Sequence, residues 1–76
     1  MEPLGDRVVA VSSRYLGPEA KRFLERQCKH LSGVSLDSLD PRALPDLAWW
    51  VGVSGKLVMS EDKATELKQK LIALAR

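Results

Sequence analysis

The segment LPDLAWWVGVSGKLV, residues 44–58, constrains the fold of this chain more than any other. Its apolar residues recur at the spacing of one helix face, at Leu44, Leu47, Ala48 and Val51. Pro45 suits the first turn of a helix, where a missing N–H costs no hydrogen bond. Gly55 suits the end, because it can adopt the left-handed conformation that a side chain opposes. The pattern predicts a helix from about Pro45 to Ser54.

This helix carries both tryptophans, Trp49 and Trp50. Adjacent helical residues lie about 100° apart around the axis, so the two indoles cannot both point into the centre of one core. We expect Trp50 to be mainly buried and Trp49 to be more exposed. An exposed aromatic side chain can anchor a protein interface, so Trp49 and the nearby Lys56 are the candidate partner-binding residues. The alternative is one core Trp and one half-exposed Trp without a binding role.

Start and stop signals predict two further helices. The last one runs from about Glu61 to Ala75, because Ser60 is a favourable N-cap and acidic residues follow it. Its inward stripe is Ala64, Leu67, Leu71, Leu74 and Ala75. An earlier helix starts at Pro18 and stops at Ser32 and Gly33.

The local pattern of residues 7–16, RVVAVSSRYL, does not decide between a helix and a strand. The valines favour a strand, whereas Val8, Ser12 and Tyr15 keep helical spacing. Nothing else in the chain offers a partner strand, so we predict a helix here. We expect Met1 to Gly5 to be a short, frayed segment before this helix, and Asp6 to be its cap.

Residues 34–43 are rich in turn signals. Leu36 and Leu39 are the apolar residues expected to anchor this segment on the core, and Asp40-Pro41 is a further helix start. At 76 residues there is room for one modest core. The sequence therefore predicts a single all-α domain, residues 1–76, with a compact four-helix packing that is orthogonal or bundle-like.

Composition narrows the functional classes. The net charge of +2, with basic and acidic residues interspersed, is weak support for a polyanion partner. A single cysteine, Cys28, excludes an internal disulfide and favours a reducing cytosol. No apolar run approaches about 20 residues, and no signal-peptide pattern opens the chain, so we expect a cytoplasmic protein with no membrane partner.

The sequence contains no complete motif for catalysis or for metal binding. Gly52 to Lys56, GVSGK, lacks the spacing of a phosphate-binding loop, and Leu57 stands where Ser or Thr would hold magnesium. Cys28 and His30 lie two residues apart on a predicted helix and point in different directions. The carboxylates Asp37, Asp40, Glu61 and Asp62 suit capping or first-turn positions. We therefore expect no enzyme activity, no cofactor and no metal.

Two short segments resemble known modules. The run LAWWVGVSGKLV resembles the turn of a DNA-binding helix-turn-helix, with Ala48 followed four residues later by Gly52. Against this, Ser60 would interrupt the recognition helix, and Glu61 and Asp62 would face the phosphates.

The segment RYLGPEAKRFLERQ, residues 14–27, resembles the helix-Gly-Pro-helix part of small helical modules attached to bacterial serine/threonine kinases and other signalling proteins. The resemblance implies a non-catalytic contact role and identifies no site residues. The function predicted is a non-enzymatic protein–protein interaction module, with a protein partner or a second copy of the chain. The alternative is a helix-turn-helix-like DNA-binding domain.

Overall fold

The structure is a computed structural model that describes residues 3–75. Its α-helices are α1 (Leu4–Leu16), α2 (Ala20–Cys28), α3 (Leu44–Gly55) and α4 (Glu61–Ala73), and short 3₁₀ turns cover Gly17–Glu19 and Pro41–Ala43. The described residues contain no strand, and the domain is compact, with a radius of gyration of 10.9 Å. The all-α prediction is confirmed, including the choice of helix over strand for residues 7–16. The predicted packing of four comparable helices needs correction. Three of the helices, α1, α3 and α4, are 12 or 13 residues long, whereas α2 has only nine residues, so the fold consists of three main helices and one short helical segment.

Helix α3 lies at the centre of the core, as its sequence predicts. The fully or nearly fully buried apolar side chains are Val8, Ala20, Leu24, Cys28, Leu36, Leu39, Leu44, Leu47, Ala48, Val51, Ala64, Leu67 and Leu71. They include the whole predicted stripe of α3 and the two leucines, Leu36 and Leu39, that were expected to anchor the 34–43 segment. Helices α3 and α4 approach closely where Gly55 meets Ala64, since a Cβ on Gly55 would lie 3.3 Å from the Cβ of Ala64.

Capping explains two of the helix starts. The Ser60 hydroxyl accepts a hydrogen bond of 3.2 Å from the N–H of Lys63, which caps α4 at the predicted position. The Asp40 carboxylate accepts one of 2.8 Å from the N–H of Arg42 and starts the 3₁₀ turn at Pro41. At its other end α4 stops at Ala73, so Leu74 and Ala75 pack against the core from a turn rather than from the predicted helix.

Helix α1 begins three residues earlier than predicted. The Pro3 carbonyl accepts hydrogen bonds from the N–H groups of Asp6 and Arg7, and Asp6 lies in the first turn rather than at the cap. Gly5 is buried against the carbonyl of Leu36, a contact that sequence spacing does not reveal. Of the predicted frayed segment, Met1 and Glu2 lie outside the described residues.

Helix α2 ends at Cys28, before the predicted stop at Ser32 and Gly33. The N–H groups of residues 29–31 bond to carbonyls three residues back, with distances of 3.0–3.3 Å. This is the tighter 3₁₀ pattern that often closes a helix. Gly33 has φ 70°, so the left-handed turn predicted there is formed, but outside the helix.

Candidate functional site

Four large apolar side chains are exposed among the described residues. The exposed fractions are 51% for Trp49, 45% for Val53, 87% for Leu57 and 59% for Val58. Trp49 and Val53 lie one turn apart on the outer side of α3, and Leu57 follows in the turn just past the end of the helix. We call these three residues the α3 ridge. The opposite side of α3 is buried in the core.

A shallow groove of about 170 Å³ lies beside the α3 ridge, between α3 and α4. Its lining residues are Trp49, Gly52, Val53, Lys56, Thr65 and Lys68. The two residues predicted as a partner-binding pair, Trp49 and Lys56, therefore lie on the same groove. Their binding role stays a prediction.

Gly52 determines where Lys68 lies. A Cβ on Gly52 would be 3.0 Å from Cδ of Lys68 and 3.6 Å from its Cβ and Cγ. The aliphatic stem of Lys68 thus covers the backbone of α3, which is buried at Gly52. Long cationic side chains commonly pack their stems in this way and keep the ammonium group in water.

The groove is cationic. Lys56 Nζ lies 3.9 Å from a carboxylate oxygen of Glu61, and their side chains are 53% and 77% exposed, so this ion pair holds the lysine weakly. Lys68 makes no ion pair with any described residue. The lining thus contains two cations and no carboxylate.

Most of the surface of Trp50 is covered, as predicted. One face of its indole stacks on His30, with ring centroids 4.1 Å apart and planes 11° from parallel. Trp50 therefore lies over the turn that follows α2, where an exposed histidine covers it instead of the core. Trp49 meets Trp50 edge-on at 5.0 Å, and the prediction that Trp49 is the more exposed indole is confirmed.

Sequence reasoning missed Val53, Leu57 and Lys68 as parts of this surface. The spacing of Val53 and Leu57 from Trp49 is visible in the sequence, but spacing alone does not show that these side chains stay exposed. Lys68 comes from another helix, so no local pattern could place it beside Trp49.

The turn expected from the helix-turn-helix resemblance is not formed. Helix α3 continues through Gly52 to Gly55, and the next described helix begins at Glu61. The chain therefore turns at residues 56–60 rather than at Gly52, and no recognition helix begins at Val53.

The described residues hold no group of three or more His, Cys, Asp or Glu side chains arranged to bind a metal ion. Cys28 is buried, and desolvation, followed by the nearby Glu25 charge, raises the pKa of its thiol. A raised thiol pKa lowers the thiolate fraction, so Cys28 is suited to packing rather than to nucleophilic chemistry.

No helix in residues 3–75 has the length and apolar character needed to cross a membrane. Comparison with protein-family models, with curated proteins and with solved structures found no match to this chain.

Proposed function

We propose that this chain is a non-enzymatic protein–protein interaction module that docks a partner on the α3 ridge and the adjoining groove. The observation that carries the proposal is the exposure of Trp49, 51%, on a helix whose other face is fully buried. A half-exposed indole already held edge-on by its neighbour loses little freedom when a partner covers it.

The size of the surface favours a transient complex. The exposed half of a Trp side chain corresponds to about 100 Å², or roughly 2–3 kcal/mol when buried. Val53 and Leu57 add roughly 1–2 kcal/mol each. The cost of association offsets several kcal/mol of this sum, so the affinity expected from the ridge alone is modest.

The charges favour a different protein over a second copy. Two copies joined through this groove would bring the lysines Lys56 and Lys68 of each close to those of the other, and like charges at an interface are unfavourable. A partner that presents an apolar side chain to Trp49 and a carboxylate to Lys68 satisfies both features. The resemblance of residues 14–27 to helical modules of bacterial signalling proteins extends the proposal to a signalling setting.

Site-specific cross-linking in the producing cells tests this surface. Trp49 is replaced by the photoreactive p-benzoylphenylalanine in one variant and Lys21, exposed on α2, in a control variant. We expect irradiation to join one defined protein to position 49 but not to position 21, and Val53→Asp to abolish that adduct. An equal pattern at both positions, or no adduct at position 49, would contradict the proposal. An adduct with a second copy would contradict the choice of a different protein.

DNA binding, the alternative function, is tested by fluorescence anisotropy with a labelled random-sequence duplex. If the alternative holds, affinity falls steeply with added salt and on Lys56→Glu, because phosphate contacts release counterions. No binding at low ionic strength excludes it.

A further inference from the structure

A second surface is centred on Tyr15, and it shares no lining residue with the groove beside Trp49. One groove of about 350 Å³ is lined by Tyr15, Leu16, Glu19, Arg22, Phe23, Arg26 and Val58. Another of about 350 Å³ shares Tyr15 and adds Arg14, Met59, Lys63, Glu66 and Lys70. We call these two adjoining grooves the Tyr15 face.

Basic side chains dominate the Tyr15 face. They are Arg14, Arg22, Arg26, Lys63 and Lys70, and the acidic ones are Glu19 and Glu66. The local excess of positive charge is larger than the net charge of +2 of the whole chain. The folded chain therefore gathers cations that are dispersed in the sequence.

Internal ion pairs neutralise only part of this charge. Glu66 lies 3.8 Å from Lys63 and 3.6 Å from Lys70, and the nearby Tyr15 hydroxyl, followed by these lysines, lowers the pKa of its carboxyl. Arg22 is 4.0 Å from Glu19, with both side chains at least 70% exposed. Arg14 and Arg26 make no ion pair with any described residue. Arginine presents a planar fork that matches a carboxylate.

The floor of the first groove is apolar. Leu16 and Phe23 are half-buried there, and Val58 is 59% exposed beside them. Arg22 and Arg26 lie one helical turn apart on α2, along the same groove. An occupant that matches both features has an apolar side chain for the floor and carboxylates one turn apart for the arginines.

We propose that the Tyr15 face binds an acidic amphipathic segment of another protein. A nucleic acid fits less well, because a phosphate strand presents mainly charged and polar groups to this apolar floor. Lys70 Nζ also lies 5.3 Å from the centroid of the Tyr15 ring, so a base would have to displace this cation to stack on that face. The proposal does not depend on the α3 ridge.

Selection from a random peptide display library, with the immobilised chain as bait, tests the proposal. We expect the enriched peptides to combine net negative charge with apolar anchors, and their affinity to fall when NaCl is raised from about 50 to about 300 mM. Arg22→Gln with Arg26→Gln should weaken binding about tenfold, since two exposed charge pairs are lost. Lys21→Gln with Lys29→Gln removes the same charge from residues that line neither groove of the Tyr15 face, and should leave binding within about twofold.

Amide chemical shifts locate the bound peptide. We expect changes at Tyr15, Phe23 and Val58 and an unchanged indole N–H signal of Trp49. Enrichment of neutral or basic peptides, no enrichment, or equal losses in the two double variants would overturn the proposal. Shifts confined to Trp49 and Val53 would overturn it while supporting the α3 ridge. Tighter binding of a random-sequence oligonucleotide than of any selected peptide would show a nucleic-acid face instead.

Discussion

At the scale of single residues, Trp49 and Trp50 are sequence neighbours with different surroundings. Trp50 is mainly buried and stacked on His30, so it links α3 to the turn after α2. Trp49 contacts solvent with about half of its surface. We expect Trp50→Ala to lower the free energy of unfolding by about 2 kcal/mol or more, and Trp49→Ala to change it by less than about 1 kcal/mol. Chemical denaturation of both variants measures the difference.

Iodide quenching of fluorescence measures the difference in solvent exposure between Trp49 and Trp50 independently. Trp50→Phe leaves Trp49 as the only fluorophore, and Trp49→Phe leaves Trp50. The emission of Trp49 should be quenched more strongly. Stronger quenching of Trp50 would contradict the assignment, and equal protection of the two would remove the proposed anchor of the α3 ridge.

Ser12 offers a second test at this scale. Its side chain is fully buried, and its hydroxyl has no hydrogen-bond partner among the described residues. A buried unpaired hydroxyl costs about 1–3 kcal/mol, so Ser12→Ala should stabilise the domain by about 1 kcal/mol or more. Ser13→Ala is the control, because Ser13 is exposed and its hydroxyl donates to the Val9 carbonyl at 2.8 Å. Both changes gain the same helix propensity, and a Ser12 variant no more stable than the Ser13 variant would show that the hydroxyl is satisfied.

At the scale of helices, the sequence predicts best those elements whose ends are set by local chemistry. Helix α4 starts at the expected residue because Ser60 caps it. Helix α3 matches within a residue at each end because its apolar stripe is regular. The start of α1 and the end of α2 lie instead beside contacts with distant residues, Leu36 for Gly5 and Trp50 for His30. Such contacts leave no periodic signal in the chain.

The start of α1 can be tested through Gly5. A Cβ there would overlap the Leu36 carbonyl oxygen, so Gly5→Ala should destabilise the domain by about 1–3 kcal/mol although alanine favours a helix. Gly52→Ala is the matched control, since the added Cβ meets only the flexible stem of Lys68. We expect Gly52→Ala to be neutral or stabilising in thermal denaturation. Equal effects of the two changes would show that Gly5 does not pack as described.

At the scale of the whole molecule, sequence order hides the distribution of charge. Basic and acidic residues alternate along the chain, which argued against a concentrated basic face. In the fold, the end of α1, one side of α2 and α4 bring five basic side chains around Tyr15. The fold class followed from local patterns, whereas this surface depends on which helix sides meet, and no spacing rule supplies that.

Cation-exchange chromatography at neutral pH tests this distribution without any partner. Charges more than about 10 Å apart are screened from one another near 0.1 M salt, so a resin senses a local cluster more than the net charge. Arg22→Gln with Arg26→Gln and Lys21→Gln with Lys29→Gln give variants of identical net charge. Lys21 and Lys29 lie among the carboxylates Glu25 and Asp37, so their loss should change retention little, whereas the arginine variant should elute at clearly lower salt. Elution of both variants at the same salt concentration would mean that the cations around Tyr15 do not act as one face.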